Sequence, residues 1–174
     1  LLSRAKAIRV LEQQYEALHR ALKVWARSKV APAHSDVAVR DYRLARHQAA
    51  QAIERSWQYA SLLPDEYQQK VPSLSLDDMA VGALPTLPPD VQFGHVRQLS
   101  LRNMGLNDDV GYFLKHFKGL NTLELRDNRV TRLPEVLQQM KQLRRLYLAN
   151  NQMQLTEYTR TKLGDLKGLT DRKS

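Results

Sequence analysis

The sequence predicts an α/β fold in which a solenoid of short coils follows an antiparallel α-helical hairpin. Two observations predict it. Apolar residues follow helical spacing in two stretches of residues 1–66, and one pattern of apolar positions recurs through residues 67–174. Self-similarity with a period of about 20 to 50 residues is typical of proteins built from stacked units. Each unit is expected to add one strand to a parallel sheet, with helices or extended segments returning along the outer side.

Two amphipathic helices account for residues 1–66. In the first, from Ser3 to about Lys29, apolar residues step by three and four and form one stripe. The second, from Asp36 to about Leu62, carries a stripe rich in alanine, which lets another helix approach closely. The first stripe is Ile8, Leu11, Tyr15, Leu18, Leu22 and Trp25, and the second is Val39, Tyr42, Ala45, Ala49, Ala52, Ile53, Ser56 and Ala60.

The short link between these helices favours an antiparallel pair. Pro32 interrupts the helical pattern, and Ser35 or Asp36 can cap the second helix with a side-chain oxygen, while Pro64 ends it. Trp25 and Trp57 could stack on a ligand, but aromatic residues on an apolar stripe usually fill core volume, and we interpret them so.

Four segments of the second part coincide when they are aligned. They are VPSLSLDDMAV from Val71, VRQLSLRNMGL from Val96, LNTLELRDNRV from Leu120 and LRRLYLANNQM from Leu143. Apolar residues occupy positions one, four, six and eleven of every copy. Leu169 could begin a fifth, partial copy, although Arg172 stands where the pattern requires leucine.

The leucines at positions four and six predict a short strand with one buried face in each copy. No copy can bury this face alone, so the copies are expected to stack around one continuous core. At position nine, Asn128 and Asn151 can bond the backbone of the turn that follows the strand. Met79 and Met104 hold this position in the first two copies, whose turns therefore need other partners or water.

The segments between the strands differ. NDDVGYFLKHFKG and LPEVLQQMKQ have helical spacing and predict short outer helices, with Asp108 and Asp109 capping the first. LPTLPPDVQFGH contains three prolines and predicts an extended return. In the last return, Thr156 is expected to cap a helix that turns Leu163 and Leu166 inward.

The shared pattern LxxLxLxxNxL is the signature of leucine-rich repeats. A helical hairpin followed by LPTLPPDV, VRQLSLRNMGL and FLKHF resembles the repeat region of large bacterial effector and toxin-like proteins, some of which end in a NEL ubiquitin-ligase domain. This resemblance implies that the repeats select a target protein and that a cysteine in a separate C-terminal domain carries ubiquitin. It also implies a secreted bacterial protein that acts in the host cell cytoplasm.

The sequence has no cysteine, so any such ligase centre is expected in another part of a longer parent protein. A chain that opens on Leu1 without an initiator methionine agrees with an excised piece. The hairpin is then either an N-terminal cap, which shields the core of the first copy, or the end of a larger helical domain. We favour the cap.

Strand residues that are not buried should form columns on the concave sheet face. The columns are Ser73, Gln98, Thr122 and Arg145, then Ser75, Ser100, Glu124 and Tyr147, then Asp77, Arg102, Arg126 and Ala149. Arginine and tyrosine dominate binding hot spots, so we predict a protein-binding patch here. Its candidate residues are Gln98, Arg102, Glu124, Arg126, Arg145 and Tyr147. The alternative is a merely solvated sheet in which Glu124 pairs with a neighbouring arginine.

The net charge of +9 raises nucleic-acid binding as an alternative function, but the surplus is spread over both halves of the chain. A second alternative is the non-catalytic part of a toxin enzyme. The sequence lacks catalytic triads, phosphate-binding glycine loops and metal-ligand spacings, so catalytic, cofactor and metal sites are not expected, nor is a small-molecule substrate. No run of apolar residues is long enough to span a membrane.

Overall fold

A computed structural model describes residues 2–28, 39–62, 73–153, 157–165 and 171–173. The elements in chain order are α1 (Leu2–Arg27), α2 (Val39–Leu62), β1 (Ser73–Ser75), β2 (Gln98–Ser100), α3 (Val110–Leu114), β3 (Thr122–Glu124), a 3₁₀ helix (Glu135–Gln139), β4 (Arg145–Tyr147), α4 (Glu157–Asp165) and β5 (Asp171–Lys173). The predicted fold class is confirmed, because two helices precede parallel strands that form one sheet in chain order.

The two long helices run antiparallel. The ring of Tyr15 stacks at 6.3 Å from that of Trp57, and the His19 Nδ1 atom lies 2.8 Å from Oε1 of Glu54. Later residues of α1 therefore meet earlier residues of α2. Leu18, Leu22, Ala49 and Ile53 are buried between the helices and the solenoid, and so are both tryptophans, which confirms their interpretation as core residues.

One end of the α1 stripe differs from the prediction. Ile8 is 56% exposed, although its spacing predicted burial. When the pairing of Tyr15 with Trp57 and of His19 with Glu54 is continued toward the start of α1, α2 ends at Leu62 before Ile8 is reached. The predicted turn and caps at Pro32, Ser35, Asp36 and Pro64 lie outside the described residues, as do Val71 and Leu169.

The sheet aligns the copies in the predicted register. Leu74 pairs with Leu99, Leu99 with Leu123, and Leu123 with Leu146 along the parallel strands. Every leucine at positions four and six is buried, and these residues form a single core with the hairpin: Leu74, Leu76, Leu99, Leu101, Leu123, Leu125, Leu146 and Leu148. In β5, Arg172 takes the register position opposite Leu146, so the strand pairing continues past the last leucine.

The asparagines at position nine bind the backbone as predicted, and they also reach back one coil. Asn128 Nδ2 donates to the carbonyl oxygens of Leu101 and Leu125 at 2.7 and 3.0 Å, while its Oδ1 accepts from the backbone N–H groups of Met104 and Leu106 at 3.1 Å each. The backbone N–H groups of the turn that contains Met104 therefore bond the asparagine of the next coil. This agrees with the expectation that the methionine-bearing turns need other partners.

The outer segments differ from copy to copy in their regular structure. Residues 84–95 form no helix, as their prolines predicted, and the next two returns hold α3 and the 3₁₀ helix. In α4, Leu163 packs against the core with partial burial. Thr156 and Leu166 lie outside the described residues.

Asp108 does not cap α3. The residue at the cap position is Asp109, which makes no side-chain capping bond. The Asp108 carboxylate instead accepts bonds from the backbone N–H groups of Thr131 and Arg132 at 2.7 and 3.2 Å and from the Thr131 hydroxyl. Burial raises the pKa of Asp108, but these hydrogen bonds and the charge of Arg132 outweigh it, so the pKa is lowered. The prediction was wrong because sequence spacing cannot reveal donors from the next coil.

Buried polar side chains dock the hairpin on the segment Val81–His95. Arg46 donates through Nε to the carbonyl oxygen of Val81 at 2.9 Å and through Nη1 to that of Trp25 at 3.0 Å. Trp25 Nε1 donates to the carbonyl oxygen of Ala83 at 2.9 Å. Burial lowers the pKa of Arg46, because a cation is poorly solvated there. The carbonyl oxygens replace part of the water that this guanidinium has lost.

Candidate protein-binding surface

The exposed sheet face consists of the outward side chains of β1 to β4 and of the second residue after each strand. Two of the predicted columns coincide with the strand register. Ser73, Gln98, Thr122 and Arg145 are successive backbone partners, and so are Ser75, Ser100, Glu124 and Tyr147. The strands are only three residues long, yet their register fixes which side chains are neighbours.

The third column continues the backbone ladder beyond the strands. Asp78 N–H donates to the carbonyl oxygen of Arg102 at 2.9 Å, and Asn103 N–H donates to that of Arg126 at 3.1 Å. Asp77, Arg102 and Arg126 therefore lie on successive coils at equivalent positions. The structure brings these two arginines to adjacent coils, as the repeat alignment predicted.

Glu124, Arg126 and Tyr147 form a connected group on this face. Arg126 Nε donates to Oε1 of Glu124 at 2.7 Å, and the Arg126 backbone N–H donates to the same oxygen at 3.0 Å. The guanidinium carbon lies 5.2 Å from the centre of the Tyr147 ring. The Glu124 side chain is 12% exposed and that of Arg126 is 40% exposed. The hydrogen bond and the charge of Glu124 raise the pKa of Arg126, so this cation is held in place by a carboxylate below and a ring beside it.

Asp77 is also engaged within the protein. Its Oδ1 accepts from the Ser100 hydroxyl at 2.6 Å and from the backbone N–H of Arg102 at 2.8 Å. Both carboxylates that the sequence places in these columns are thus bound to donors of the same face. Consequently the charged groups of these columns that remain directed outward are guanidinium groups.

The other candidate residues are more exposed than this group. Gln98 and Arg145 are exposed, and Arg102 is half-buried. Among the side chains that the structure describes, those of Arg102 and Arg145 make no hydrogen bond or ion pair. The backbone of β5 places Asp171 beside Arg145 and Lys173 beside Tyr147. The face therefore carries three arginines from three successive coils, and one of them, Arg126, lies against the ring of Tyr147.

Sequence reasoning missed a row of residues at position eight. Asp78, Asn103, Asp127 and Asn150 all have positive φ angles, between 54° and 64°. Asn103 Nδ2 donates to Oδ1 of Asp78 at 2.9 Å, and Asn150 Nδ2 donates to Oδ1 of Asp127 at 2.8 Å. The signal was present, since aspartate and asparagine tolerate the left-handed conformation better than other residues with a Cβ atom. This row fixes the turns at one edge of the exposed sheet face.

Within the described ranges, no group of three or more histidine, aspartate or glutamate side chains is placed to hold a metal ion. Across the same ranges, no helix is both long and apolar enough to cross a bilayer.

Comparison with known proteins places the repeat pattern in a family. Residues 94–153 match the family model of the leucine-rich repeat. The coils within residues 94–153 are leucine-rich repeats. No curated protein sequence matches the chain.

Among solved structures, the chain is similar to the leucine-rich repeat domain of the type III effector XopL. The identity is 18% and the TM-score is 0.48. The match covers 86% of this chain and 46% of the other, so the chain spans less than half the length of that protein's structure.

Proposed function

We propose that the exposed sheet face of these leucine-rich repeats binds a protein partner that presents carboxylate side chains. The observation that carries the proposal is the internal engagement of both acidic side chains, Asp77 and Glu124, beside three arginines. Among the described side chains, Arg102 and Arg145 have no carboxylate partner, so a partner protein can supply one to each. Arginine forks bind carboxylates with two parallel hydrogen bonds, which gives both strength and direction.

The geometry of Arg126 supports this proposal further. Its side chain is already ordered by Glu124 and by the ring of Tyr147, so less conformational entropy is lost on binding. The strands beneath it are held by buried leucines at positions four and six. Arginine and tyrosine are among the residue types that alanine scanning finds enriched at the energetic centres of protein interfaces.

The test is selection from a random displayed peptide library on the purified chain. We expect enrichment of peptides rich in aspartate and glutamate, and loss of their binding in the double variant Arg102→Glu with Arg145→Glu. These two arginines are chosen because their side chains make no bond to another described side chain, so their reversal leaves the Glu124–Arg126 pair intact. A third variant, Arg126→Ala, tests the ordered arginine separately.

The matched control is Lys118→Glu with Lys141→Glu. Both lysines are exposed and belong to the outer segments, and the change in net charge is the same. Selected peptides that bind the wild type and both double variants equally would contradict the proposal. If peptides without acidic residues bind the sheet face, the proposal that the partner presents carboxylate side chains is contradicted. If the wild type binds duplex DNA and both double variants lose that binding to the same extent, the nucleic-acid alternative is favoured instead.

We also propose, from the sequence resemblance alone, that the parent protein is a bacterial effector in which these repeats select a host target. A NEL-type ubiquitin ligase is the finer form of this proposal, with the hairpin as N-terminal cap of residues 67–174. Extending the coding sequence past Ser174 tests it. A downstream helical domain with a cysteine supports the ligase, and a parent that ends without such a domain contradicts it.

A further inference from the structure

The outer side of the helical hairpin carries a groove that the proposed function does not use. Its volume is about 1270 Å³, and α1 contributes residues between His19 and Arg27 while α2 contributes residues between Arg43 and Glu54. We call it the hairpin groove. At a rise of about 1.5 Å per residue, these stretches are roughly 12 to 17 Å long, which is the length of two to three helical turns.

The hairpin groove lies away from the repeats. The side chains of the hairpin that bond the Val81–His95 segment are Gln14, Trp25 and Arg46, and none of them lines the groove. On α2, Leu44 lies two residues before Arg46 and therefore points to nearly the opposite side of the helix. Docking on the first coil therefore leaves the groove open.

The lining combines apolar surface with a basic rim. Leu22, Ala26, Leu44 and Ala50 supply the apolar part, and Leu44 is 58% exposed even though it is a large apolar residue. A single exposed leucine is ordinary, but here Leu44 adjoins the other apolar residues of one concave surface, and a contiguous apolar patch with a polar rim marks interaction sites.

The charges of the rim are mostly positive. Lys23, Arg27 and Arg43 line the groove together with His19 and His47, and Glu54 is the one carboxylate of the lining. Glu54 Oε1 lies 2.8 Å from His19 Nδ1, so this carboxylate already has a partner. An occupant is therefore favoured when it brings its own negative charges to the rim.

We propose that the hairpin groove binds an acidic amphipathic helix of a partner protein, which completes a three-helix arrangement with α1 and α2. The apolar side chains of that helix would cover Leu44 and Ala26, while its carboxylates would face Lys23, Arg27 and Arg43. A second copy of this chain fits poorly, because α1 and α2 both carry more basic than acidic residues. The chain thus has two recognition surfaces on different elements.

The test uses a fluorescent peptide of about 16 residues, composed of glutamate, alanine and leucine, with leucines three and four residues apart along one helical face. Fluorescence anisotropy with the full 174-residue chain should give saturable binding. Lys23→Glu with Arg43→Glu should weaken it at least about tenfold, because two attractive rim charges become repulsive. Leu44→Ser should also weaken it, and its exposure makes unfolding by this change improbable.

Two controls separate specific docking from attraction to a basic protein. Lys6→Glu with Arg20→Glu changes the net charge equally at exposed positions of α1 that do not line the groove, and it should bind as the wild type does. A peptide with its leucines replaced by serine should not bind. Equal weakening by both double variants, binding of the serine peptide, or no binding at all would overturn the proposal.

The sheet-face variant Arg102→Glu with Arg145→Glu distinguishes this proposal from the proposed function. It should bind the leucine peptide as the wild type does, because Arg145 belongs to β4 and Arg102 lies two residues after β2, so neither is part of the hairpin. If this variant loses the peptide while the groove variants still bind it, the peptide binds the sheet face and the groove proposal is overturned. Self-association of the wild type that Leu44→Ser abolishes would make a second copy the occupant and would also overturn it.

Discussion

At the scale of single residues, one asparagine joins two coils. Asn128 uses both its amide nitrogen and its oxygen for backbone groups, and it is 6% exposed. Its donors and acceptors belong partly to the coil before its own. A buried backbone group without a partner costs about 1 to 3 kcal/mol, so the effect of this side chain exceeds that of an ordinary surface amide.

We expect Asn128→Leu to lower the free energy of unfolding by about 3 kcal/mol, because it leaves Met104, Leu106 and Leu101 with unpaired backbone groups. Urea unfolding followed by circular dichroism measures it. Met104→Leu is the matched control at the same position of the preceding coil, and it should cost less than about 1.5 kcal/mol, since it exchanges apolar residues of similar volume. Equal losses in the two variants would contradict the role of the amide.

A glycine shows how closely the backbones of neighbouring coils approach. A Cβ atom on Gly119 would lie 2.3 Å from the carbonyl oxygen of Gly94, whereas a Cβ atom on Gly94 would meet nothing within 4 Å. We expect Gly119→Ala to destabilise the fold by about 1 to 3 kcal/mol, because the backbone of the preceding coil must move. Gly94→Ala should stay within about 0.5 kcal/mol of the wild type. Thermal unfolding of both variants checks this difference, and an unchanged midpoint for Gly119→Ala would refute it.

At the scale of elements, the hairpin is attached to the first coil by side chains that bond backbone carbonyl oxygens. Besides Arg46 and Trp25, His95 lies with its Nε2 atom 2.9 Å from the carbonyl oxygen of Ser56 in α2. Periodicity predicted the two helices and their antiparallel pairing. It could not predict these docking bonds. Every residue has a carbonyl oxygen, so the sequence does not reveal which of them will accept a hydrogen bond from the hairpin.

The docking should respond to pH through His95. Burial lowers the pKa of this histidine from its ordinary value of 6.5, the hydrogen bond to Ser56 opposes the shift, and the charge of Arg97 adds to it. Because the folded state disfavours the imidazolium, this contribution to stability is full above pH 6.5 and is lost as the pH falls through the folded-state pKa.

We therefore expect the wild type to lose more stability than His95→Gln when the pH is lowered from about 7.5 to about 5.5. Glutamine keeps a donor for the Ser56 carbonyl oxygen and does not titrate. The measurement is the urea midpoint of both proteins at each pH. The remaining histidines are common to both proteins, so they cancel in the comparison, and an equal or larger loss in His95→Gln would argue against the assignment.

At the scale of the whole molecule, periodicity predicted the fold well and the site in part. Positions four and six gave the sheet, its register and the column neighbours, because burial of Leu99 or Leu123 restricts these positions to apolar residues. Which side chains of the candidate site bond each other depends on their rotamers and on contacts between coils, and periodicity does not determine these. The pairing of Glu124 with Arg126 was an open alternative at the level of sequence, and the binding of Asp77 to Ser100 was not foreseen.

The molecule separates the residues that hold the fold from those that we propose for recognition. Buried leucines and Asn128 connect the coils, whereas Arg102 and Arg145 make no bond that the fold needs within the described side chains. The charge of the chain is consistent with this separation, since basic residues occur on both the exposed sheet face and the rim of the hairpin groove.

The most direct test measures folding and binding together in the double variant Arg102→Glu with Arg145→Glu. An acidic peptide selected on the wild type serves as ligand in isothermal titration calorimetry, and the thermal midpoint is recorded on the same sample. We predict a midpoint within about 3 °C of the wild type and an affinity at least about tenfold weaker. An unchanged affinity at an unchanged midpoint would contradict the assignment of recognition to this face.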